Sequence, residues 1–265
     1  MYCSMSEINH LAMITSTPLV SIIMPAHNSE QFIGMAIDSV LSQTYQNWEL
    51  IVVNDNSTDS TCKIVEDYEH RDSRISLYNA EYHNGMPSAP RNTGVNLAKG
   101  RFISFLDSDD LWTSTKLEEQ VPLFANENVV VVYSNYEKID EDGKRSNRIV
   151  TAPSKLNYAV LLHGNAIGNL TGIYDTQKVG KIKVKDIHHE DYAMWLEILS
   201  KGGIGLNTNS TTAFYRLSKS GISRNKIRLL SWQWQIYRNI VHLSIAQSIK
   251  YYLFYAYYGF KKFIR

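Results

Sequence analysis

The sequence predicts an α/β protein built on a mostly parallel sheet, followed by a helical, basic and aromatic C-terminal extension. Three observations carry this. Short, near-continuous apolar runs alternate with helical patterns through the first 107 residues, the pattern of strands covered on both faces. Polar and acidic residues cluster just after those runs rather than within them. The composition then changes near the end: from Ile198 to Arg265 there are 11 Lys and Arg and no Asp or Glu. The other 197 residues hold 16 basic and 26 acidic side chains, so a net charge of +1 conceals an acidic body and a basic end.

The elements follow in order. Leu19–Met24 is an apolar run that stops at Pro25. Leu50–Val53, Ile75–Tyr78 and Phe102–Leu106 are further strands, rich in β-branched and aromatic residues, and Val129–Tyr133 is another buried one. Between them lie helices. Glu30–Gln43 carries Phe32, Ala36, Ser39 or Val40, and Gln43 at helical spacing. Thr58–Tyr68 opens on a Ser/Thr/Asp cluster suited to N-capping, and Ser88–Ala98 ends before Lys99-Gly100. Asp140-Glu-Asp-Gly143 marks a hairpin turn. His188-His-Glu-Asp191 opens an amphipathic helix over Tyr192–Leu199, and Leu229, Trp232, Ile236, Ile240 and Leu243 mark a last one by spacings of three and four.

With 265 residues, 44% hydrophobic and 20% charged, the chain forms one large domain, or one domain with an appendage. Its two cysteines are too few for a disulfide framework and have no metal-ligand spacing, which suits a reducing, cytoplasmic setting. The N-terminus lacks the basic and apolar regions of a signal peptide. No run of about 20 apolar residues offers a membrane-spanning helix.

The stretch FISFLDSDDLW is the sharpest feature. An apolar strand runs into Asp107, Asp109 and Asp110, three mutually repelling charges within four positions. Alone, such a cluster reads as a solvated turn capping the next helix. In an open parallel sheet, however, ligands bind beyond the carboxyl ends of the strands. Pro25-Ala-His-Asn28, Asn54-Asp-Asn-Ser57 and Asp107-Ser-Asp-Asp110 all stand there, so the aspartates become candidate ligands for a cation that accompanies a substrate.

Three segments carry a resemblance. VSIIMPAHNSEQFIGMAIDSVLSQTYQNWELIVVNDNSTDST, the stretch from Arg91 through RNTGVNLAKGRFISFLDSDDLW (with Pro90 before the arginine) and HEDYAMWLEIL resemble family 2 glycosyltransferases of the GT-A fold, from about Val20 to Arg216. GNLTGIYD and NKIRLLSWQWQIYRNIVHLS are similar to a narrower bacterial group. Those are O-antigen enzymes that add glucose or galactose, β1,3-linked, to an N-acetylhexosamine on a lipid diphosphate. The resemblance implies an N-terminal extension over 1–17 and a catalytic domain over 18–216, its donor half about 18–112 and its acceptor half about 113–216. A membrane-associating extension follows over 217–265.

The resemblance also implies roles. Pro25 and Ala26 would wall the nucleobase, Asn28 would line the nucleotide site, and Asp55 would accept the uracil N3–H. Arg91 would hold the nucleotide end of the donor. Asp109, helped by Asp107, would bind Mn2+ or Mg2+, hard cations that take oxygen ligands. Asp191 would be the general base, with Glu190 orienting it, and Trp112 and Trp195 would face the acceptor sugar, a core role for Trp112 being an equal alternative. Leu217-Ser218 stands where many relatives carry a histidine, and the Q-x-x-R-W signature of processive enzymes is missing, which favours single-sugar transfer.

The implied partners are UDP-glucose or UDP-galactose, a polyprenyl-diphosphate-linked N-acetylhexosamine, and an anionic membrane surface. No recognised nucleic-acid module accompanies the basic stretch, so no nucleic acid is expected. The tail IKYYLFYAYYGFKKFIR is expected to attach the protein peripherally to the inner face of the cytoplasmic membrane, its aromatics at the interface and its Lys and Arg on anionic head groups; the competing reading is that these aromatics pack onto the catalytic domain or a partner subunit. Two other readings remain open: a non-catalytic sugar-binding or scaffolding subunit, and a sugar nucleotidyltransferase. Against the second, the loop PAHNSEQF after the first strand has no glycine.

Overall fold

The computed structural model describes residues 17–83, 85–217 and 226–264. Residues 1–16 of the expected N-terminal extension, and Ser218 and Arg265, lie outside them, and so do the side chains of 226–228 and 257–264. The first half alternates strand and helix. β1 (Val20–Ala26), α1 (Ile33–Leu41), β2 (Trp48–Asn54), α2 (Thr61–Glu69), β3 (Ile75–Asn79), α3 (Ser88–Leu97) and β4 (Phe102–Phe105) fall where the sequence expects them. β1 runs two residues beyond Met24, because Pro25 is carried in register opposite Val53. All four strands are parallel, in the spatial order β3-β2-β1-β4.

The second half is less regular. β5 (Leu111–Trp112), α4 (Lys116–Gln120), β6 (Val129–Ile139), β7 (Arg145–Val150), β8 (Lys155–Leu156), α5 (Tyr158–Leu161), β9 (Ile173–Asp175), α6 (Thr176–Val179), α7 (Glu190–Ser200) and β10 (Ile204–Arg216) follow. The sheet continues from β4 through β9, β6 and β10 to β5. β9 is antiparallel to both β4 and β6, while β6 and β10 are parallel. The expected turn at Asp140–Gly143 joins β6 to β7, with Gly143 at φ 80°, a left-handed conformation that glycine adopts without a Cβ clash. β9 had no sequence signal, since three residues between irregular segments show no periodicity.

Two apolar layers cover the sheet. One holds Ile23, Val53, Phe105, Tyr174, Trp195 and Tyr237. The other holds Ile22, Val52, Trp112, Leu117 and Val132. Alternate residues of each strand feed opposite layers, as the two-residue period of a strand requires.

The C-terminal extension corrects two expectations. A single helix over Leu229–Leu243 is expected. Instead α8 (Lys226–Gln235) passes into a π turn, Ile236–Ile240, and α9 (Ile245–Ile264) starts afresh. Tyr251 and Tyr252, expected at the lipid interface, are half-buried and pack on the first apolar layer. Among the described residues the open side of α9 is mostly aliphatic: Ile245, Ile249 and Leu253 are 62%, 47% and 63% exposed, beside Phe254 at 39%. Tyr251 and Tyr252 have a ready partner in the domain, and burying them there removes more apolar surface from water.

A fold test follows from Gly172. A Cβ at this position would overlap the rim of the fully buried Trp195 ring. The rigid indole cannot step aside as a flexible chain end would. Gly172→Ala should therefore cost roughly 1–3 kcal/mol, read as a lower urea midpoint with an unchanged slope. Wild-type stability in that variant would contradict this packing.

Candidate active site

The carboxyl ends of β1, β2 and β4 lie side by side, and the loops leaving them are cross-linked. The Ala26 carbonyl accepts the Asp55 N–H at 2.8 Å, so the ends of β1 and β2 stay paired into their loops. Asn28 and Asn56 take φ of 46° and 61°, the left-handed region that asparagine tolerates better than most residues. The Asn28 side-chain oxygen accepts the Thr58 N–H at 2.8 Å, and the Asn54 side-chain oxygen accepts the Ser57 N–H at 3.0 Å. Asn28 thus works as a latch between the two loops. The Asp55 carboxylate meets His83 Nδ1 at 2.8 Å, a partner the sequence reading did not identify.

The three aspartates after β4 resolve their repulsion in three different ways. Asp107 accepts from Arg91 Nη2 at 2.6 Å. Asp110 turns inward, 2% exposed, and accepts the Arg216 N–H at 2.9 Å. Burial and the charges of Asp109 and Asp107 hold its carboxyl well above the usual carboxylate range. Asp109 stays partly open, and burial with the neighbouring Asp107 charge pushes it up to about 6. The Arg216 guanidinium braces this loop from outside, donating to the Asp109, Asp140 and Glu141 carbonyls.

Asp107 and Asp109 fit the divalent cation that the resemblance implies. Both offer hard oxygen donors, and the excess negative charge that raises Asp109 is what a cation would offset. Among the described residues no group of three His, Cys, Asp or Glu side chains is arranged to hold a metal ion. Further ligands would then come from water and substrate phosphate.

Arg91, from the first turns of α3, joins this loop to α7. Its Nη1 donates to Glu190 at 2.5 Å while its Nη2 donates to Asp107. The guanidinium is 6% exposed. Burial alone would lower its pKa, but Asp107, Glu190 and Asp191 more than offset that and keep it firmly charged. Asp191, one residue on, accepts from Asn165 Nδ2 at 2.9 Å. Burial first, then the Glu190 charge, pushes its carboxyl up to about 6. The α7 N-cap is His189 in the left-handed conformation, at φ 59°, without a capping side-chain bond. His188 stacks on Trp232 with ring centres 4.0 Å apart, and His189 meets the same ring edge-on.

The structure therefore brings together Arg91, Asp107, Asp109, Glu190 and Asp191. It does not bring the two tryptophans to the site. Trp112 is 3% exposed and donates its indole N–H to the Leu170 carbonyl at 2.8 Å, under the fully buried Lys116. Trp195 is 0% exposed and packs against Tyr174. Neither has a free face for a sugar, so both are core residues. The sequence reading missed Asn165 and His83, which carry no motif of their own.

Residues 21–190 match Glycosyl transferase family 2. A protein of Escherichia coli, UDP-Glc:alpha-D-GlcNAc-diphosphoundecaprenol beta-1,3-glucosyltransferase WfgD, is 43% identical over 92% of this chain and 94% of its own. The E. coli protein WfaP, of the same description, is 40% identical over 84% of this chain and 86% of its own. Among solved structures, Staphylococcus aureus TarS 1-349 in complex with UDP-GlcNAc has a TM-score of 0.68 at 19% identity, covering 91% of this chain and 72% of that one. The mannosyltransferase PcManGT of Pyrobaculum calidifontis, in complex with GDP-Man and Mn2+, has a TM-score of 0.66 at 20% identity, over 87% and 66%. The fold is thus the GT-A glycosyltransferase fold, and the chain belongs to glycosyl transferase family 2.

Proposed function

We propose that this protein is an inverting, metal-dependent glucosyltransferase. It would move glucose from UDP-glucose to the 3-hydroxyl of GlcNAc on a polyprenyl diphosphate, forming a β1,3 linkage in O-antigen or another surface polysaccharide. One observation carries the reading: Arg91 bonds Asp107 with one nitrogen and Glu190 with another, so the aspartates after β4 and the Glu190-Asp191 pair border one site. Glucose, GlcNAc and the lipid diphosphate are read from the names of the two E. coli relatives.

In this reading Pro25, Ala26, Asn28 and Asp55 bind the nucleoside, and Arg91 and Asp107 border the donor diphosphate. A divalent cation on Asp109 and Asp107 supplies charge neutralisation to that diphosphate. Asp191 takes the proton from the acceptor hydroxyl. The oxygen forms its bond to the anomeric carbon as the bond to the UDP oxygen breaks, and the electron pair leaves with UDP. A single in-line displacement inverts the α-linked donor to a β-glycoside. A panel of UDP-sugars against GlcNAc- and GalNAc-diphospholipid, with the linkage assigned by NMR, tests the whole reading. A β1,3-glucosyl-GlcNAc product is expected. Another sugar would overturn the substrate assignment, and no transfer from any UDP-sugar would favour a sugar-binding subunit.

Peripheral membrane attachment is read from α9. No helix among the described residues is long and apolar enough to cross a membrane. Ile245, Ile249 and Leu253 recur every four residues along one side of α9, in the part of the sequence that holds 11 basic residues and no acid. That pairing of apolar stripe and positive charge suits an anionic lipid surface.

Three outcomes test these assignments. Asp109→Asn keeps size but loses charge, so it should weaken Mn2+-dependent UDP binding about 10–100-fold by calorimetry, the range of a charged hydrogen bond; full turnover in EDTA would exclude metal dependence. Asp191→Asn should leave UDP binding intact and cut transfer on the order of 10²–10⁴-fold. A base must be ionised to work, so the wild-type rate should fall as pH drops below about 6 and level off above it. A near-normal transfer rate in that variant would remove Asp191 from the chemistry. Ile249→Asp with Leu253→Asp should release the protein from anionic vesicles by at least about tenfold, given the apolar burial lost, with UDP-sugar hydrolysis unchanged. Equal vesicle binding would rule out this face.

A further inference from the structure

Asn165 has both ends of its side-chain amide committed. Its Nδ2 donates to Asp191 Oδ2 at 2.9 Å, while its Oδ1 accepts the Ile167 N–H at 3.2 Å. The second bond fixes the first. An amide has one acceptor end and one donor end, and because the backbone N–H occupies the acceptor, the donor must face the carboxylate. That donor can serve only an unprotonated oxygen. Oδ2 therefore cannot carry the transferred proton while this bond holds, and the Tyr192 backbone N–H donates to the same carboxylate.

The segment carrying Asn165 has no regular structure between Leu161 and the 3-10 turn Asn169–Thr171. It is held in place from outside. Tyr192, on the helix of Asp191, donates its hydroxyl to the Leu161 carbonyl at 2.9 Å. Tyr237, in the π turn of the C-terminal extension, donates to the Leu162 carbonyl at 2.6 Å. The His163 ring lies edge-on to Tyr251 and Phe254 of α9, at 5.1 and 4.8 Å between centres. The extension thus grips Leu162 and His163, three and two residues before Asn165.

We propose that Asn165 is the positioning residue of the transfer reaction, orienting Asp191 through its amide, and that the C-terminal extension keeps Asn165 in place through Tyr237. This rests on the reading of Asp191 as the base. The extension then belongs to the catalytic apparatus as well as to membrane attachment.

The experiment is steady-state kinetics of the full chain across pH for wild type, Asn165→Ala, Asn165→Asp and Tyr237→Phe, beside Asp191→Asn. Asn165→Ala should lower kcat by about 10²-fold, the scale of a misplaced reacting group, with the KM for UDP-sugar unchanged. Its acidic limb should move to higher pH, because the donor that favours the ionised carboxylate is gone. Asn165→Asp keeps an acceptor for Ile167 and so protects the turn if the alanine variant folds poorly; it should show the same loss and a larger limb shift. Tyr237→Phe should show a smaller loss in the same direction. A merely structural role would lower the melting temperature and leave the pH limb in place. Wild-type kcat and pH limb in both Asn165 variants, with Asp191→Asn inactive, would overturn the proposal and leave the base reading standing. An active Asp191→Asn would instead sink the base reading.

Discussion

One guanidinium organises the site. Arg91 bonds Asp107, 16 residues away, and Glu190, 99 residues away, so that α3, the end of β4 and the start of α7 meet at a single buried charge. Taking an arginine out of water is costly, and two carboxylate partners are what make it tolerable. The same geometry makes each partner dependent on the others. Without Arg91, Asp107, Asp109, Glu190 and Asp191 would be four acids with no buried cation between them. Its Nε has no hydrogen-bond partner among the described residues, which leaves the bridge resting on the two terminal nitrogens.

Given that bridge, environment distributes the remaining acids among different tasks. Asp110 is buried, held above its usual range and bonded to the Arg216 backbone, so it serves as an internal fastener. Asp109, one residue earlier, is only partly closed, and on the proposed reading it holds the cation. Glu190 and Asp191 are likewise adjacent but divided: the first faces Arg91, the second faces Asn165. Like side chains acquire unlike behaviour from burial and partners alone.

That division also explains what the sequence could reveal. The four parallel strands were legible because each is a continuous apolar run, and continuity is what burial on both faces demands. Their carboxyl ends located Asp55, Asp107 and Asp109 before any coordinates. Apolar pattern cannot, however, separate a tryptophan in a core from one lining a sugar site, and so Trp112 and Trp195 were misread. β9 was invisible because it is three residues long. Asn165 was invisible because its meaning depends on Asp191, 26 positions away, and an asparagine among Gly164, Ala166 and Gly168 reads as a loop. The tyrosines of α9 misled for a related reason. Composition reveals that a helix is amphipathic, but not which side a neighbouring domain will claim.

The side claimed has a consequence for a reaction on a lipid-anchored acceptor. The domain takes Tyr251 and Tyr252; Ile245, Ile249 and Leu253 stay outward, and Phe254 at the border touches His163, two residues before Asn165. On the proposed reading, the element that meets the membrane is therefore within three residues' contact of the group that orients the base. In the same reading the nucleotide binds beyond β1 and β2, on the other side of β4 in the sheet. A soluble donor and a membrane-held acceptor can then approach the anomeric carbon from opposite directions, which is the arrangement an in-line displacement needs. Detaching the extension would on this view do more than free the protein from lipid. It would also remove Tyr237 and the aromatic wall from the segment of Asn165, so membrane attachment and base orientation would be lost together.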